Sequence, residues 1–67
     1  MTLIDEYVGA GIDGAMMYED ENGFVIEYWF TDDEERHNVW ECYEDKEDCL
    51  EAYKAIVAVM AMEDDNG

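Results

Sequence analysis

The sequence predicts a small α+β domain of two layers: a short N-terminal helix, a three-stranded antiparallel sheet, and a C-terminal helix packed on one sheet face. Three observations carry that prediction. Two stretches rich in aromatic, β-branched and methionine residues, Gly14 to Asp20 and Phe24 to Thr31, flank Glu21-Asn22-Gly23, the pattern of a hairpin. Cys49, Leu50, Tyr53, Ile56, Val57 and Met60 fall at the spacing of one broad helical face. Hydrophobic residues make up 49% of the 67 positions, too much apolar material for a disordered chain and enough for one thin core, so a single domain over residues 1–67 is expected.

At the N-terminus, Thr2 and Asp5 have the spacing of a capping box, and Leu3, Ile4, Tyr7 and Val8 share a helical face before Gly9 and Gly11 end the pattern. In the hairpin, a three-residue loop with Gly23 in the left-handed position pairs Tyr18 with Ile26 and Met16 with Tyr28, apolar against apolar. A two-residue Asn22-Gly23 turn sets Glu19 against Ile26 and mixes the faces, so the longer loop is preferred. That register turns Met16, Tyr18, Phe24, Ile26, Tyr28 and Phe30 inward and Met17, Glu19, Val25, Glu27 and Trp29 outward.

A third strand, His37 to Tyr43, follows the acidic run Asp32-Asp33-Glu34-Glu35. Its Trp40 and Cys42 are expected inward, with Val39, Glu41 and Tyr43 outward, although the reverse fits nearly as well. The C-terminal helix starts at Asp45 as N-cap, with Glu47 and Asp48 in the first turn, where carboxylates favour the helix dipole. From Ala55 to Met62 it is apolar all round. One side should cover the sheet and the other meet the N-terminal segment or a second copy, so a homodimer through this stretch is the alternative assembly. The tail Glu63-Asp64-Asp65-Asn66-Gly67 reads as a frayed end.

Charge dominates the functional reading. Twenty Asp and Glu against three Lys and Arg give a formal net charge of -17, far beyond the magnitude of about 2 to 8 that solubility needs. Such a chain repels nucleic acid and anionic lipid and attracts basic protein surfaces; neither direct nucleic-acid binding nor membrane association is expected. Asp5 and Glu6 break the N-terminus, which has neither the basic start nor the apolar core of a secretory leader, so a cytoplasmic location is expected. Cys42 and Cys49 have neither metal nor redox spacing and are read as reduced, with a bridge between them as the alternative.

No cofactor, metal or catalytic site is expected. Aligning Gly23 with the glycine of an EF-hand puts Tyr18 and Trp29 where oxygen ligands are required. His37 and Cys42 lie five residues apart along a strand and do not share a face. Gly9-Ala10-Gly11 lacks the lysine of a phosphate loop and reads as a hinge. The chain is therefore expected not to be an enzyme.

The acids concentrate at Glu19 to Glu21, Asp32 to Glu35, Glu41 to Asp48 and Glu63 to Asp65. On the outer sheet face, Glu19, Glu27 and Glu41 would form a row across strands, with Trp29 and Tyr43 as aromatic anchors beside it. Together with Asp32, Asp33, Glu34 and Glu35 these are the candidate partner-binding residues. The opposite helix face, with Glu44, Glu47, Asp48 and Glu51, forms the reserve surface. Same-face residues on a strand stand about 6.6 Å apart and neighbouring strands about 4.8 Å, close enough to imitate the phosphates of a nucleic-acid strand.

In element order the chain also resembles double-stranded RNA-binding domains, but those grip nucleic acid with a basic helix end, and here only Arg36, Lys46 and Lys54 are cationic. In size, charge and mixed pattern it resembles the phage-encoded acidic DNA-mimic inhibitors, the class of anti-CRISPR, anti-restriction and uracil-DNA glycosylase inhibitor proteins. That resemblance implies an inhibitor occupying the basic groove of a nuclease, glycosylase or polymerase. Alternative readings are a non-catalytic accessory or oligomerisation module, and a small acidic domain adapted to high salt.

Overall fold

The computed structural model of the chain describes residues 1–9 and 13–66, with side chains as far as Glu63. Four strands, β1 (Thr2–Val8), β2 (Gly14–Asp20), β3 (Gly23–Asp32) and β4 (Glu35–Tyr43), precede one helix, α1 (Lys46–Asn66). The strands form one antiparallel sheet in sequence order, and α1 covers one face of it. The α+β class and the two layers agree with the sequence; the N-terminal helix does not exist, and the sheet has four strands rather than three.

The N-terminal segment is a strand because β2 offers it a paired edge, whereas an isolated helix of one or two turns is marginal in water. Its helix-like spacing has a specific cause. Pairing with β2 slips between Leu3 and Asp5, the mark of a β-bulge. The extra residue lets Ile4 and Tyr7 both pack against the core while Leu3 and Val8 stay exposed. The stop at Gly9 survives as a strand end: its N–H donates to the Asp13 carbonyl at 3.0 Å. Gly11, and with it the expected hinge, lies outside the described residues.

The β2–β3 turn corrects the expected register by one residue. Asp20 pairs with Gly23, so Glu21 and Asn22 alone form the loop, and Met17 rather than Tyr18 stands opposite Ile26. Asp20 Oδ1 accepts the Asn22 N–H at 2.8 Å, which favours this tighter loop. Gly23 does take the positive φ, +141°. A Cβ there would meet the Tyr43 carbonyl oxygen at 2.6 Å, so the turn also depends on backbone close approach to the end of β4.

A one-residue slip reverses every side chain of a strand. Ala15 and Met17 are fully buried beneath α1, while Met16 and Tyr18 face the other way with Val25, Glu27 and Trp29. In β3 the expected faces hold, with Phe24, Ile26 and Tyr28 toward the helix. In β4 the reverse of the preferred assignment is found: Tyr43 packs on the core, Val39 and Glu41 share its face, and Trp40 and Cys42 are exposed on the other. The cause is again a two-residue turn, Asp33-Glu34, since Asp32 and Glu35 pair.

α1 begins as expected: the Asp45 carbonyl accepts the Cys49 N–H at 3.1 Å, placing Asp45 at the N-cap. Cys49, Tyr53 and Met60 are buried, with Leu50, Ile56 and Val57 packed around them, so the face read from periodicity is the core face. The helix runs on through Asn66, so the acidic tail is helical rather than frayed at the backbone. Neither Gly nor Pro interrupts residues 46–66, so nothing stops propagation.

Candidate protein-binding surface

The meander gathers carboxylates at both ends of the molecule. At one end, the contact of Gly23 with Tyr43 and Glu44 sets the β2–β3 turn against the β4–α1 junction. This joins Glu19, Asp20 and Glu21 to Glu44, Asp45, Glu47 and Asp48, with Lys46 the single cation in either segment. The reserve surface thus merges with one of the expected acidic runs. At the other end, the β3–β4 turn exposes Asp32, Asp33, Glu34 and Glu35, and Asp13 and Glu63 lie beside Asp32 around a groove. The long dimension of the molecule is 36 Å, and the ten residues of β3 span roughly 31 Å at the rise of an antiparallel strand.

The expected row of Glu19, Glu27 and Glu41 does not form. Glu27 pairs with Met16 and Trp40 on the open face, whereas Glu19 pairs with Phe24 and Glu41 with Ile26 on the helix side. Glu41 is instead a partner for two phenols. Tyr43 donates to its Oε1 at 2.6 Å and Tyr28 to its Oε2 at 3.2 Å. The hydrogen bond to Glu41, followed by burial, pushes the Tyr43 hydroxyl up to about 12. Burial and then the Glu41 charge raise Tyr28. Glu41 and Tyr43 therefore brace the sheet under the helix start, and neither is displayed with Glu27 and Trp29.

The open sheet face is an aromatic plate with few charges. Tyr18, Val25, Trp29 and Trp40 lie on it around Glu27. Trp29 is seated on Gly14: a Cβ there would stand 2.8 Å from the indole Cε2. The Arg36 guanidinium covers the ring at 5.5 Å from its centroid, a cation–π distance, and its Nε donates to Asn38 Oδ1 at 3.3 Å. Burial, then the charges of Glu27 and Asp20, raise the Tyr18 hydroxyl above its ordinary range. With Trp29 occupied from within, the accessible aromatic is Trp40, 57% exposed. The sequence pattern alone turns Trp40 inward; the signal that places it beside Glu27 is the two-residue Asp33-Glu34 turn.

Cys42 and Cys49 are free and sit on opposite sides of the sheet, Cys42 exposed on β4 and Cys49 buried on the core face of α1, where burial raises its thiol. His37 stacks on Phe30 with centroids 5.2 Å apart, on the face opposite Cys42. Among the described residues no three His, Cys, Asp or Glu side chains are arranged to hold a metal ion, and no helix is long and apolar enough to cross a membrane. No family model, curated protein or solved structure matches the chain.

Proposed function

We propose that this chain is a non-enzymatic inhibitor that occupies the basic groove of a nucleic-acid-binding protein, a nuclease, glycosylase or polymerase, in place of DNA. The observation that supports it is the grouping of carboxylates at two ends of a 36 Å body. The length of that body is close to one turn of duplex DNA, roughly 34–36 Å. Two such groups could meet the phosphate sites of a groove one helical turn apart. Like charges about 7 Å apart repel by roughly 0.6 kcal/mol even in water. Solubility does not require so costly an arrangement, and a cationic partner would relieve it.

The binding elements are the tip Asp32, Asp33, Glu34 and Glu35, the end formed by Glu19 to Glu21 with Glu44 to Asp48, and Glu27 with Trp40 and the Arg36-capped Trp29 between them. Charge complementarity of this kind acts mainly on association rate, and a desolvated aromatic acts mainly on dissociation. Affinity capture from a host lysate tests the reading. The captured protein should bind nucleic acid on its own, be released by duplex DNA, and lose at least about tenfold in affinity as salt rises from about 0.05 to 0.2 M. Capture that is indifferent to salt and to DNA would remove it.

A further inference from the structure

The β3–β4 hairpin overhangs the sheet. Pairing of β3 with β2 stops at Trp29, opposite Gly14, while β3 continues to Asp32. Phe30 therefore has no β2 neighbour, and α1 passes beside it. Between them lies a groove of about 580 Å³, within the range of built ligand pockets, about 300–1,000 Å³. Its apolar lining includes Phe30, Val59 and Met60, and its charged lining residues, Asp13, Asp32 and Glu63, are all carboxylates. Val59 is 57% exposed although it belongs to the most apolar part of the helix.

We infer that this groove docks an apolar side chain carried on a basic segment of the partner, with Lys or Arg on either side of it meeting Asp32 and Glu63. Charge complementarity selects this occupant over a second copy of the chain. A two-fold interface would set the same acidic rim against itself, between molecules that each carry -17. The inference deepens the proposed function by naming the chemistry of the segment engaged, and it rests on that reading only for the partner's positive sign.

The test uses three fluorescein-labelled helical peptides of about 15 residues: an amphipathic Lys/Leu peptide, a Lys peptide of equal charge with Ala for Leu, and a Glu/Leu peptide. The Lys/Leu peptide should bind the intact chain at least about tenfold more tightly than the Lys/Ala peptide, and the Glu/Leu peptide should not bind. Val59→Glu makes the surface more acidic, so attraction by charge alone would hold or tighten binding. Docking in the groove requires at least about a tenfold loss instead. Ala55→Trp, which fills the groove from an exposed helical position, should give the same loss, and circular dichroism confirms that each variant is folded. Equal binding of the two Lys peptides, or binding unchanged in both variants, overturns the inference. So does a wild-type dimer by sedimentation that Val59→Glu converts to monomer. Because no captured partner enters these measurements, their failure leaves the DNA-mimic reading to its own test, and salt-indifferent capture leaves the groove to this one.

Discussion

Gly14 and Trp29 act as one unit. A methyl at Gly14 would press on the indole and come within 2.9 Å of the Tyr7 carbonyl oxygen on β1. Overpacking of this kind costs about 1–3 kcal/mol. Gly14→Ala should lower stability by that amount in urea unfolding and shift tryptophan emission as the ring is displaced. In a Trp29→Ala background the loss should shrink to the part owed to the β1 backbone, a coupling that a double-mutant cycle reads directly. Tyr53, with Tyr43, contributes to the alkaline limit. Burial, reinforced by the Asp5 and Glu6 charges, pushes the Tyr53 hydroxyl up to about 12, whereas an unfolded chain ionises it near 10. The folded state holds a proton that the unfolded state releases, so the contribution is complete below about pH 10 and falls away as pH rises toward 12. Melting temperature should drop across that window, and Tyr53→Phe should remove the Tyr53 part of the drop, leaving the part owed to Tyr43.

At the level of elements, two turns decide which side chains are displayed. Asp33 and Glu34 have φ of 50° and 68°, the positive pair of a type I′ turn that ordinarily takes Asn-Gly. A left-handed conformation costs a residue other than glycine roughly 1–2 kcal/mol. Asp33→Asn with Glu34→Gly should therefore raise stability by about 1 kcal/mol. The same change removes two tip carboxylates and should slow association with the captured partner, whereas equal binding by the more stable variant would take the tip out of the interface. The β2 register has its own check. Met17 is fully buried and Met16 lies on the open face, so Met17→Lys should unfold the domain by burying an unpaired charge. Met16→Lys should cost less than about 1 kcal/mol.

For the molecule as a whole, the charge opposes the fold that displays it. Seven carboxylates converge where the β2–β3 turn meets the helix start, and four more surround the β3–β4 tip. Added salt shortens the range of their repulsion from about 30 Å at 0.01 M to about 3 Å at 1 M. Melting temperature should rise with sodium chloride while the chain stays folded at low salt. Unfolding below molar salt would instead favour adaptation to a saline interior. Stability and partner affinity are then expected to respond to salt with opposite signs.

Much of the fold was legible in the sequence because it rests on local signals. The periodic face of α1, its Asp45 start and the extents of β2 and the middle of β3 all follow from patterns within a few residues. The net charge and the acidic runs are properties of the sequence too, and they alone direct attention to a basic partner. What only the tertiary structure decided was orientation. Glu21-Asn22 closes the first turn instead of a three-residue loop, and a bulge at Ile4 turns a helix-like spacing into a strand. The inter-strand register moves Glu19 and Glu41 away from Glu27 and brings Trp40 to the surface. Strand side chains alternate with a period of two, so a single residue of slip exchanges the two faces. The energy that settles the slip lies in packing Ala15 and Met17 under the helix, which no local pattern contains.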